Sequence, residues 1–130
     1  MIFLTVEDVV HLHRRIVDST GGSHGVRSME LLESAVMSCY QSFNGIDLYI
    51  AVEAKAARMA YAICNNHPFT DGNKRAAVVA MLVMLLLNGV HLQYTQCELV
   101  SLGLGIADSS LKYEDIVDWI QNHVSLKDQG

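Results

Sequence analysis

The chain has 130 residues, 51% of them hydrophobic and 18% charged, with a formal net charge of −5. That length and apolar content suit one domain with its own core and exclude a segment disordered by composition. The negative charge, with no basic stripe in the sequence, argues against direct binding to nucleic acid.

In chain order, the first element is a helix capped by Thr5, with Asp8 three residues on in a capping-box position. Val6, Val9, Val10, Leu12, His13, Ile16 and Val17 form its stripe, and Gly21-Gly22 end it. Ser28 caps a second helix with Met29, Leu32, Val36 and Tyr40 along one face. Phe43-Asn44-Gly45-Ile46-Asp47 breaks it, as a turn or a small hairpin, since Asn-Gly is a turn pair. A third, alanine-rich helix spans Leu48 to Asn66 and stops ahead of Pro68, the one proline in the chain. A fourth runs from about Asn73 to Asn88, closed by Gly89; being apolar nearly all round, it is predicted to be the buried central helix. Val90-His91-Leu92 reads as a short extended piece, and Thr95-Gln96-Cys97-Glu98 as a capping box for a fifth helix. The last helix fits Tyr113 to Val124, and residues after about 125 read as a frayed tail. The expectation is a single all-α domain of about six helices around helix four.

Cys39, Cys64 and Cys97 are odd in number and lack a C-x-x-C pair, which speaks for reduced thiols in a cytoplasmic protein. No signal peptide is visible, and the most apolar run, Ala76 to Leu87, is shorter than the roughly 20 residues a membrane span needs.

The segment that carries chemistry joins helices three and four: His67-Pro68-Phe69-Thr70-Asp71-Gly72-Asn73-Lys74-Arg75. Lys74 and Arg75 fall in the first helical turn, at the positive end of the macrodipole, where a cation is disfavoured by roughly 0.3–1 kcal/mol. An anion relieves that conflict, because free amides at a helix N-terminus already attract one. Gly72 lets the backbone approach a ligand, and Asn73, Lys74 and Arg75 add donors suited to a polyphosphate. Asp71 fits such a site as the carboxylate of a Mg²⁺ that is otherwise held by phosphate and water. His67 is of the residue type suited to act as a general base near neutrality. Phe69 reads as an apolar anchor for the loop and Pro68 as its stiffener.

His-Pro-Phe-x-Asp-Gly-Asn resembles the signature of the Fic/Doc family, and the likeness extends over nearly the whole chain. The resemblance implies an α-helical fold that binds Mg-ATP at this loop and modifies a protein hydroxyl. Most Fic members transfer AMP, and their motif continues Gly-Arg-x-x-Arg; here Lys74 replaces the glycine and Val78 the final arginine. The Lys-Arg ending looks like the Doc, or death-on-curing, toxins, for which the family's activity is phosphorylation of a Ser/Thr hydroxyl. Elongation factor Tu is the target in that branch, and a separate Phd-type antitoxin the inhibitor. Pro68 and Gly72 agree with the wider Fic motif. Carried over, His67 is the implied base, Asp71 the implied Mg²⁺ ligand, and Gly72, Asn73, Lys74 and Arg75 the implied phosphate contacts. Segment 44 to 48 is the implied flap for a target strand. The Ser/Thr-x-x-x-Glu-Gly/Asn pattern of an intrinsic inhibitory helix is not found, which points to inhibition by a separate partner.

Three readings stand at this point: a kinase-type transferase, an AMP transferase, and a nucleotide- or partner-binding module without catalysis. For the remaining histidines the plain reading is structural. His11 and His13 lie two apart and cannot share a metal on a helix. His13 reads as packed, and His24, His91 and His123 as surface or interface residues.

Overall fold

The structure, a computed structural model, describes residues 1–125. Its helices are α1 (Val6–Thr20), α2 (Met29–Met37), α3 (Val52–Asn66), α4 (Asn73–Leu87), α5 (Gln96–Ala107) and α6 (Tyr113–Asn122). A single 3₁₀ turn, Ser38–Tyr40, and a small antiparallel hairpin, β1 (Ser42–Phe43) with β2 (Ile46–Asp47), join α2 to α3. The fold is all-α, as the periodicity predicts. The proposed tail beyond 125 lies outside the described residues.

The caps form where the sequence puts them. Thr5 Oγ1 accepts from the Asp8 amide at 3.2 Å while the Asp8 carboxylate accepts from the Thr5 amide at 2.9 Å. Asp therefore serves in the place where Glu is usual. Thr95 and Glu98 make the same reciprocal pair at the start of α5, at 3.1 and 2.9 Å.

Two boundaries differ from expectation. Helix α3 begins at Val52 and not at Leu48, because the chain from 48 is drawn into the hairpin. Leu48 donates its amide to the Gln41 carbonyl at 2.9 Å. The Tyr49 carbonyl accepts from the Lys55 ammonium, which also pairs with Asp47 at 3.1 Å. Lys55 is 2% exposed, an unusual burial for a lysine and one that depends on these partners. Helix α6 ends at Asn122, two residues early, because Val124 pairs with Leu92 in an isolated antiparallel bridge. The short extended piece at 90–92 is thus real, and its partner is the stretch that follows α6.

The core is centred on the α3–α4 pair. Helix α4 packs on α1, α3 and α5, whereas α3 touches α2, α4, α5 and α6, so the two share the central place. Small side chains permit this. Ala56, Ala57 and Ala60 on α3 and Ala77 and Ala80 on α4 are fully buried, and Met59, Met81 and Met84 fill the remaining space. The residues connecting this packed pair are the His67–Gly72 loop, so the packed centre of the core holds both ends of the segment singled out by sequence.

Replacing Ala60 with Leu inserts bulk where there is none to spare, and is expected to lower stability by about 1–3 kcal/mol. The drop is read as a shift in the urea midpoint at unchanged slope.

Candidate active site

Helix α3 ends in an unusual conformation. His67 lies in the left-handed region, φ 49° and ψ 55°, and its amide still reaches the Ile63 carbonyl at 3.3 Å. Pro68 behind it bars a further right-handed turn. The last carbonyls of α3 are capped by Arg27, whose Nε donates to His67 O at 2.7 Å and whose Nη2 donates to Asn66 O at 3.0 Å. A guanidinium there both satisfies the orphan carbonyls and faces the negative end of the helix dipole. The His67 ring itself makes no hydrogen bond among the described residues, and it is exposed, so its nitrogens are open to an incoming group.

The segment between α1 and α2 is strapped across the loop. The Pro68 carbonyl accepts the amides of Arg27 and Ser28 at 2.7 and 3.0 Å, Thr70 donates to Gly25 O at 3.1 Å, and Val26 bridges Phe69 in antiparallel fashion. Phe69 is driven into the core, 1% exposed, as its anchor role requires. Its ring lies flat against His13, with centroids 3.8 Å apart and planes 5° from parallel. His13, packed as expected, is more than filler: its Nε2 donates to the Asp71 carbonyl at 2.7 Å.

Asp71 is exposed, and both carboxylate oxygens accept backbone amides, Oδ1 from Gly72 at 2.8 Å and Oδ2 from Ser23 at 3.2 Å. The Ser23 amide, then that of Gly72, then the charge of Arg75 hold this carboxyl below the ordinary aspartate range. A side chain on Gly22 has no room, since a Cβ there would stand 2.6 Å from Asp71 Oδ2.

Helix α4 then opens at Gly72, whose φ of 77° favours glycine and which has no side chain to cap the helix. The first turn contains no acid. Arg75 hydrogen-bonds Thr20 Oγ1 on α1. Lys74 makes no ion pair among the described residues, and its stem runs along Gly103 of α5, where a Cβ would come within 3.2 Å. Asn73 has a structural role as well. Its Oδ1 accepts from Phe69 N at 2.8 Å and its Nδ2 donates to Phe69 O at 3.0 Å, so the carboxamide closes the loop and one amide hydrogen is left.

The turn thus brings His67 to its α3 end and Asp71, Gly72, Lys74 and Arg75 to its α4 end. Open grooves flank it. One, about 400 Å³ between α4 and α5, is headed by Lys74 and Arg75 and floored by Val78, Val79 and Leu99, a size within the range of small-molecule sites. Among the described residues no three His, Cys, Asp or Glu converge on a metal position. Asp71 alone suits a cation that takes most of its ligands from phosphate and water, because each of its oxygens keeps a further lone pair. Sequence reasoning missed Arg27, whose guanidinium caps α3, and Ser23, whose amide holds Asp71, and read Gly22 only as the end of the first helix. It placed His13 in the apolar stripe with Val9 and Val17, four residues to either side, but saw nothing there beyond packing.

Comparison with known proteins agrees with this geometry. The model described as the Fic/DOC family matches residues 3–85. The chain belongs to the Fic/DOC family. Toxin Doc of Mycolicibacterium smegmatis (strain ATCC 700084 / mc(2)155) is 39% identical over 72 residues, 55% of each chain. This chain therefore spans about half the length of the curated relative it matches.

The Asp71 carboxyl is expected to titrate below the ordinary aspartate range, with the Ser23 and Gly72 amides reporting the same midpoint by NMR. A lowered folded-state pKa contributes stability above the unfolded value, and that contribution is lost as pH falls through the folded one. Ser23 and Gly72 amides that stay flat while Asp71 titrates at the ordinary value would refute the arrangement.

Proposed function

We propose that this chain is a Doc-like toxin of a toxin–antitoxin pair that transfers the γ-phosphate of ATP to a Ser/Thr hydroxyl of a target protein. The observation that carries the reading is the start of α4: an N-terminus with no side-chain cap, no acid in its first turn, and beside it the ammonium of Lys74, without an ion pair among the described residues. Such an end is short of negative charge, and a triphosphate supplies it.

In this reading the amides after Gly72, with Lys74 and Arg75, hold the phosphates, and Asn73 keeps the turn closed around them. Asp71 is the side chain that would hold Mg²⁺, which when bound neutralises charge on the phosphates. The exposed His67 ring takes the proton from the attacking hydroxyl. The new bond joins that oxygen to the γ-phosphorus, the bond from the γ-phosphorus to the bridging oxygen breaks, and ADP leaves. Lys74 favours phosphate over AMP transfer, because its bulk and charge stand where AMP-transferring members have glycine. The match of Pro68 and Gly72 to the wider Fic motif supports AMP transfer as the second reading.

The target is a protein such as a translation elongation factor, and the inhibitor a separate Phd-like antitoxin. The setting proposed is the cytoplasm. No described helix is long and apolar enough to cross a membrane.

Incubation of the chain with a cell extract and ATP labelled at the γ- or the α-position tests the proposal. Label on protein from γ-labelled ATP alone is expected, with a fall of roughly a hundredfold or more in His67→Ala. Label from α-labelled ATP establishes AMP transfer instead. No label from either, with wild type and His67→Ala equally harmless on expression, would leave only a binding module.

A further inference from the structure

The groups that do the chemistry in the reading above cannot also hold the loop in shape. Asp71 in particular is exposed, and its carboxylate is useful to a cation only if its direction is fixed before the cation arrives. What fixes it comes from α1 and the turn after α1. His13, itself 3% exposed, sends Nε2 to the Asp71 main-chain carbonyl at 2.7 Å. A carbonyl only accepts, so Nε2 carries the ring proton and the tautomer is settled. The same ring is stacked on Phe69, two residues before Asp71, so His13 grips the loop on both sides of Thr70. Beyond the helix, Ser23 N–H holds Oδ2, and Gly22 lacks the side chain that would push that oxygen away. Position 13 thus combines a flat ring and a hydrogen-bond donor at one depth, which neither phenylalanine nor an aliphatic side chain supplies.

We propose that His13 is a positioning residue of the transfer site: its Nε2–H bond to the Asp71 carbonyl sets the carboxylate in the orientation that receives the nucleotide's divalent cation. The inference rests on the reading of Asp71 as the cation-holding carboxylate. It assigns to His13 no contact with ATP or target. Loss of the donor should therefore weaken the contribution of Mg²⁺ to nucleotide binding, and leave metal-free binding to Lys74, Arg75 and the α4 amides as it was. Outer partners that orient a ligand typically matter by about 10–100-fold.

The experiment is calorimetric titration of the full chain with ATP, once in Mg²⁺ and once in EDTA. It compares wild type with His13→Phe, which keeps a ring against Phe69 but has no donor, and His13→Gln, which keeps a donor but has no ring. Expected is a gain in affinity from Mg²⁺ in the wild type, about tenfold smaller or less in His13→Phe and largely kept in His13→Gln. ATP affinity in EDTA should be equal in all three. A folded His13→Phe that keeps the whole Mg²⁺-dependent gain overturns the proposal. Should His13→Phe fail to fold, His13→Gln decides: the gain kept supports the proposal, and the gain lost in a folded protein overturns it. A wild type with no Mg²⁺-dependent gain, or one whose gain survives Asp71→Ala, removes the role of Asp71 itself and His13's with it. That result is distinct from a loss or retention confined to position 13.

Discussion

The contact of the Phe69 ring with His13 is the constraint on which the candidate site depends. A loop that presents a carboxylate, free amides and cations to water has few groups left with which to hold itself. Phe69 solves this by placing an apolar ring in the core directly ahead of two exposed residues, Thr70 and Asp71. Loss of such a buried aromatic is worth roughly 3–5 kcal/mol, several times what the individual hydrogen bonds of the turn contribute. The hydrogen bonds then decide shape where the ring decides place. Asn73 closes the turn on the Phe69 backbone, and residues 25 to 28 lie across it, hydrogen-bonded to Pro68 and Thr70 and bridged at Val26 and Phe69.

The electrostatics follow from that geometry. With the turn fixed, α4 must begin at Gly72, and its positive end faces two cations of its own first turn. Asp71 offsets Arg75 in part, and Thr20 takes another of its donors. Among the described residues Lys74 has no such partner. The excess positive charge is therefore local, carried by one turn of a chain whose overall charge is −5. A small polyphosphate fits that distribution better than a long anionic polymer.

The helical repeat was legible because it depends on side-chain spacing alone, and both capping boxes formed as written. The start of α3 was not. Leu48 to Ala51 look helical by composition, and what diverts them is the ammonium of Lys55, four to seven residues later, reaching back to Tyr49 and Asp47. The site was legible as a list of side chains but not as a division of labour. Asn73 looks like a ligand donor until the Phe69 backbone is seen to occupy it. Ser23 carries no signal, since it acts through a main-chain amide that every non-proline residue possesses, and Arg27 carries none because the carbonyls its guanidinium caps lie about forty residues away. His13 was visible only as an imidazole in an apolar stripe.

Lys55 also bears on how the chain opens. Its ammonium is 2% exposed while its counter-charge, Asp47, is 53% exposed and belongs to the hairpin. A two-stranded ribbon of two residues each would ordinarily fray at almost no cost. Here, peeling it away takes both oxygen partners, Asp47 and the Tyr49 carbonyl, from the buried Lys55 ammonium. The ribbon, whose Phe43 and Ile46 are turned to solvent, is in this way joined to the same cooperative unit as α3. Its backbone is therefore expected to open only when the interior does.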